Sequence, residues 1–112
     1  MSSSKTNEPT ALRRGLAPMH PGEFLREDII PFLDATRTRI AECLGISRVQ
    51  LNRLERGERD VSADLAVKLG KLMGNSPEFW MNLQTAYDLH QAKARLADQV
   101  ARIPTLKRRE AA

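Results

Sequence analysis

Thr36-Arg37-Thr38-Arg39-Ile40-Ala41-Glu42-Cys43-Leu44-Gly45-Ile46-Ser47-Arg48-Val49-Gln50-Leu51-Asn52-Arg53-Leu54-Glu55-Arg56-Gly57 is the stretch whose pattern sets the fold. Ile40, Ala41 and Leu44 recur at helical spacing and form one apolar face. Gly45 then breaks the pattern, where a helix end calls for a residue at positive φ. Ser47 is a good N-cap for a second short helix. On that helix Leu51 and Leu54 point one way, while Arg48, Val49, Asn52 and Arg53 point the other. The small Ala41 lets the two helices approach each other. Two short helices joined by a tight Gly-containing turn form a helix-turn-helix, whose second helix lies in the major groove of DNA. The outward face carries guanidiniums, which suit guanine edges, and an amide, which suits adenine. Val49 fits as an apolar probe for a thymine methyl, with Gln50 at the flank. An ordinary helical hairpin with a solvated polar face would share part of this pattern.

Charge placement separates the two readings. The net charge is +4, and residues 37–59 hold six arginines against three glutamates. The first 18 residues carry three bases and one acid, and the last 12 carry four bases and one acid. What lies between is nearly neutral overall. A local basic surface on a neutral body is what a DNA reader needs, because phosphate attraction is then confined to one face. Arg37 and Arg39 also open the second helix, where the dipole is positive and acids are the usual choice. A phosphate bound at that helix end would account for them.

The rest of the chain reads as all-α, with five helices. His20-Pro21-Gly22-Glu23 opens the first, and proline suits a first turn. Phe24, Leu25, Ile29 and Ile30 give it a buried stripe, and Pro31 stops or kinks it, with Phe32 and Leu33 still expected to pack inward. Thr36 caps the second helix and the third runs from Ser47 to Arg56, followed by a charged loop. Ser62 caps a fourth helix, with Leu65, Leu69, Leu72 and Met73 inward and Gly74 at its end. Ser76-Pro77-Glu78 opens a fifth, expected to run to about Val100 because Pro104 is the next breaker. This helix carries two apolar stripes. One is Phe79, Trp80, Leu83, Ala86 and Tyr87; the other is Leu89, Leu96 and Ile103 at intervals of seven. One stripe covers the domain's own core, and the other asks for a partner, which favours a homodimer reading paired half-sites. A single-face helix with a frayed, charged end is the alternative.

At 112 residues the chain makes one domain, and 4% aromatic content predicts an aliphatic core. Three parts are expected: a disordered basic extension over 1–18, a folded domain over 19–100 and a basic tail over 101–112. Leu12-Arg13-Arg14-Gly15 reads as a solvated tail, with a basic arm for nucleic acid as the alternative, and Met19 as the natural start in relatives, with residues 1–18 an extension. No run approaches the roughly 20 apolar residues of a membrane span, and the polar start lacks the apolar segment of a signal peptide. One cysteine, Cys43, allows no internal disulfide, which fits a cytoplasmic protein. His20 and His90 are the only histidines and lie far apart, so neither a metal site nor a cofactor is expected. No catalytic triad, metal cluster or phosphate-cradling glycine loop is present, which argues against an enzyme.

Met19-His20-Pro21-Gly22-Glu23, the helix-turn-helix, and Asn75-Ser76-Pro77-Glu78-Phe79-Trp80-Met81-Asn82-Leu83-Gln84 with Ala86-Tyr87-Asp88-Leu89 together resemble the HigA antitoxin family. This family is also called VapI-like and belongs to the wider Xre/phage-repressor group. The resemblance covers about residues 19–95. It implies a dimer that represses its own toxin–antitoxin operon and neutralises HigB, a small RelE-like ribonuclease that cleaves mRNA on ribosomes. The partners it implies are operator DNA, a HigB-type toxin and a second copy of the chain, with no membrane. Carried over, the DNA face is Arg37, Thr38, Ser47, Arg48, Val49, Gln50, Asn52 and Arg53. The dimer surface lies around Trp80, Leu83, Tyr87 and Leu89. Members often carry Ser-Gln where this chain has Thr36-Arg37, and residues 1–18 and Lys107-Arg108-Arg109 fall outside the pattern. Composition and spacing alone do not separate an antitoxin from a stand-alone repressor with the same DNA chemistry. A purely protein-binding module is a third reading, opposed by arginines in the first turns of two adjacent helices.

Overall fold

Each predicted cap residue starts a helix. In the computed structural model, which describes residues 17–110, the order is α1 (Pro21–Phe24), α2 (Arg37–Leu44), α3 (Arg48–Glu55), α4 (Ala63–Met73), α5 (Pro77–Arg95) and α6 (Ala97–Ala101). The expectations for residues 1–10 and for Leu12-Arg13-Arg14-Gly15 lie outside the described residues. Thr36, Ser47, Ser62 and Ser76 each accept a hydrogen bond from the amide three residues on, at 3.0–3.1 Å. Such a bond satisfies one of the donors a helix start leaves free, and is worth about 1 kcal/mol. His20 caps α1 through its ring, whose Nδ1 accepts from the Gly22 amide at 2.9 Å. Its Nε2 faces Asp60 Oδ1 at 3.2 Å, so one buried imidazole ties the first helix to the segment after α3.

Pro31 acts earlier than expected. Behind α1 the chain widens into a π turn (Leu25–Ile29) and tightens into a 3-10 turn (Ile30–Phe32). Proline lacks the amide for an ordinary helical bond, and its ring collides with the carbonyl four residues back. A turn that bonds five residues back, as the Ile30 amide does to the Leu25 carbonyl, relieves that crowding. The chain then leaves the helix, and Phe32 points into solvent at 81% exposure, with Leu33 also exposed. The expectation that both pack inward is corrected: the 3-10 turn rotates them off the buried stripe, which ends at Ile30.

The core forms where α2, α3, α4 and the first half of α5 converge on Leu25 of the π turn. Ile40, Ala41, Leu44, Leu51, Leu54, Leu65 and Leu69 are buried there, and Trp80 closes it with no exposure at all. Phe24, Phe79 and Trp80 meet with ring centroids 5.5–6.0 Å apart. α1 approaches α3 so closely that a Cβ on Gly22 would lie 1.5 Å from the Leu54 carbonyl oxygen. Only glycine fits there.

α5 ends sooner than expected. At Leu96 the backbone turns to φ −103°, ψ 10°, and α6 is a short separate segment. The run to Val100 as one helix is therefore corrected. Past Tyr87 the helix has little of the domain to lie on, and propensity alone holds an unpacked helix only weakly. No strand and no helix long and apolar enough to cross a membrane occurs among the described residues.

Candidate nucleic-acid interface

The turn between α2 and α3 is fixed by its backbone. Gly45 takes φ 71°, the Ile46 amide bonds back to the Ala41 carbonyl at 3.0 Å, and the Gly45 amide bonds to the Glu42 carbonyl at 3.1 Å. This pair of bonds is the Schellman arrangement, and it ends α2 within one residue. Ser47 then starts α3 with a reciprocal cap. Its Oγ accepts from the Gln50 amide while Gln50 Oε1 accepts from the Ser47 amide, both at 3.0 Å.

Those bonds divide the eight residues expected on the DNA face. Arg48, Val49, Asn52 and Arg53 lie at helical spacing on one side of α3, opposite buried Leu51 and Leu54. Arg48 and Arg53 are exposed, Asn52 is half-buried, and Val49 stands 58% exposed. Ser47 and Gln50 sit beside them with their acceptor oxygens occupied by the cap. Their hydroxyl and amide hydrogens remain free to donate, which suits phosphate oxygens. Thr38, in the first turn of α2, meets Arg48 across the gap: Arg48 Nη1 donates to Thr38 Oγ1 at 3.2 Å.

Arg37 is the exception. Its Nε donates to both carboxylate oxygens of Glu55 at 3.0 Å, and Nη2 lies 3.0 Å from Glu55 Oε1. Glu55 is buried, so its charge needs this partner. The hydrogen bond to Glu55 raises the Arg37 guanidinium above its ordinary value, against a smaller opposing effect of desolvation. Arg26 adds a bond from Nη1 to the Glu55 backbone carbonyl at 2.9 Å. The Arg37 guanidinium, expected on the DNA face, thus ties the start of α2 to the end of α3. Its neighbour Arg39 is exposed, with Glu42 at 3.8 Å. The sequence put Glu55 at the edge of a charged loop; that the following loop folds away and leaves it buried had no signal in periodicity.

The residues named for a dimer surface divide as well. Trp80 and Leu83, at 0% and 3% exposure, belong to the protomer's own core. That assignment is corrected, because α4 already covers the face of α5 that carries them. Tyr87 is half-buried with its ring edge-on to His20, at a centroid distance of 5.0 Å. Leu89 is 50% exposed and free for a partner, as are Val100 and Ile103. Sequence reasoning missed Gln84, which is buried and accepts from the Val61 amide at 2.6 Å, pinning the loop after α3 to α5.

A helix-turn-helix family model matches residues 36–80, from the cap of α2 to the start of α5. Virulence-associated protein A' of Dichelobacter nodosus is 40% identical over 84 residues, which span 74% of this chain and 72% of the relative. Antitoxin HigA-1 of Vibrio cholerae is 33% identical over 73% of this chain and 77% of its own length. Among solved structures, the Pseudomonas aeruginosa antitoxin HigA with the higBA promoter is 37% identical, with a TM-score of 0.74 over 80% of this chain and 99% of that one. The chain belongs to the HigA family of antitoxins. HigA-type proteins are helix-turn-helix regulators rather than enzymes. Within that frame α3 is the second helix of the helix-turn-helix, and the pair of Arg37 and Glu55 links it to α2. Among the described residues no group of three or more His, Cys, Asp or Glu could hold a metal ion.

Proposed function

We propose that this chain represses the operon encoding it, as a dimer that docks two copies of α3 into successive major grooves, and that it neutralises an mRNA-cleaving toxin of the RelE-like kind. One observation carries the DNA reading. Arg48, Val49, Asn52 and Arg53 form a contiguous face on a helix whose cap and inner side are already satisfied within the domain. An exposed face whose one internal bond is Arg48 to Thr38, and which combines two guanidiniums, an amide and a branched apolar group, matches the chemistry of base edges. Thr38, Arg39, Ser47 and Gln50 supply the flanking phosphate contacts, with the first-turn amides of two helices behind them. Leu89, Val100 and Ile103 supply the dimer contact, which brings two recognition helices about 34–36 Å apart. The exposed bases of the tail, Lys107-Arg108-Arg109, add attraction for phosphate without regard to sequence.

The toxin part rests on membership of the HigA family and is tested first. Co-expression with the small gene beside it, tagging only this chain, yields a complex of fixed stoichiometry that relieves growth arrest. Recovery of the chain alone, still bound to its own promoter, leaves a stand-alone repressor. For DNA, Arg48→Ala with Arg53→Ala weakens operator binding by about 2 kcal/mol or more, as two lost base contacts require. Unchanged affinity in an anisotropy titration removes α3 from the reading face.

A further inference from the structure

Arg48 and Arg53 both point outward from α3, but Arg48 is anchored by another helix. Its Nη1 donates to Thr38 Oγ1 at 3.2 Å, and Thr38 belongs to the first turn of α2. The bond uses one of five guanidinium hydrogens. Enough remain to meet the O6 and N7 of a guanine in parallel. A threonine hydroxyl that accepts from Arg48 keeps its own proton to donate, and the start of α2 is where a phosphate would lie. A long arginine chain held at one nitrogen loses less freedom when it meets a base. Its neighbour Gln50 is held back toward the helix start, where its Oε1 accepts from the Ser47 amide.

We propose that Thr38 is a positioning residue for base specificity: its hydroxyl bridges Arg48 to a phosphate oxygen and holds that guanidinium in register with one guanine of each half-site. The proposal rests on the operator-binding reading above. It goes beyond it by naming the base, the residue that reads it and the residue that aims the reader. Asn52 and Val49 read other positions of the same half-site and do not depend on Thr38.

The test uses the full chain and duplexes covering the DNA upstream of its own operon, with each G·C pair replaced in turn by A·T, at one fixed salt concentration. In the wild-type protein, one guanine per half-site costs about 10-fold or more in affinity when replaced. Arg48→Ala abolishes that penalty. Thr38→Val keeps the shape without the hydroxyl and cuts the penalty to about 3-fold or less, whereas Thr38→Ser retains it. In an Arg48→Ala background Thr38→Val changes the discrimination no further. Arg48→Lys keeps the charge without the fork, so it loses the guanine preference while the salt dependence stays; if the valine variant folds poorly, Thr38→Ala removes the same hydroxyl and is expected to cut the penalty alike. Thr38→Val weakening every duplex equally would reduce Thr38 to a phosphate contact and overturn the proposal. A guanine penalty untouched by Thr38→Val overturns it as well. Operator binding with no Arg48-dependent guanine defeats the proposal alone, while a wild-type chain that binds none of the duplexes defeats the operator reading too.

Discussion

α3 and α5 are both amphipathic, yet they meet opposite fates. On α3 the apolar face is buried and the polar face is left in solvent, with Ser47 and Gln50 beside it bonded to each other's amides in the cap. On α5 the strongest apolar side chains, Trp80 and Leu83, vanish into the domain, while weaker apolar positions from Leu89 onward remain in solvent. The short helix follows its own pattern up to Glu55, the one position whose burial depends on another element. The long one changes role along its length, because α4 covers its first half only. An exposed apolar residue therefore marks a free surface in α5, and an exposed charged residue marks one in α3. Burial alone decides which residues of a stripe remain available to a partner.

The largest expected effect tests the covered half of α5. Trp80→Ala removes a fully buried ring that meets Phe24 and Phe79 edge-to-face, and it also leaves Asn75 Oδ1 without the indole donor at 2.7 Å. Urea unfolding is expected to show a loss of about 3–5 kcal/mol. If Trp80 lay at a dimer contact instead, the loss would depend on protein concentration; a concentration-independent loss places it in the protomer core.

Arg37→Met comes next, and it separates the clamp from the reading face. Removing the guanidinium takes away the bonds from Arg37 to the buried Glu55 carboxylate, and the bond from Arg26 reaches only the Glu55 backbone carbonyl. Arg37 is partly exposed, so water softens the penalty, and a loss of about 1–3 kcal/mol in stability is expected at neutral pH. Operator affinity measured on the folded fraction falls far less than with Arg48→Ala and Arg53→Ala. Equal losses of affinity in the two cases would return Arg37 to the DNA face.

Leu89→Ser has the smallest effect on the fold. A half-exposed residue away from the core changes protomer stability by about 0.5 kcal/mol or less. Sedimentation at micromolar concentration should nonetheless shift toward monomer, with a weaker grip on a paired half-site operator. A dimer of unchanged strength would move the contact off this stretch of α5.

Much of this was legible beforehand for a physical reason. Caps and turn glycines act through the backbone of their own neighbours, so Thr36, Gly45, Ser47, Ser62 and Ser76 carry their structural meaning in a window of a few residues. Helical spacing likewise sorted Leu51 and Leu54 from Arg48 and Arg53 without reference to any other element. Errors began where a side chain's partner lies far along the chain. Arg37 looks like a phosphate ligand until Glu55, 18 residues on, turns inward to meet it. His20 has no metal partner in the sequence; its role as a cap facing Asp60, 40 residues away, depends on how the loop after α3 folds back.

The sequence by itself determined the helix-turn-helix, its caps and the composition of its reading face, because each follows from bonds and periodicities spanning one or two helical turns. Only the tertiary structure decided that Arg37 pairs with Glu55, that Trp80 and Leu83 are core, and that Phe32 and Leu89 face solvent. Those outcomes depend on which surface another element covers. Coverage is a property of the packed chain, and no local window of sequence contains it.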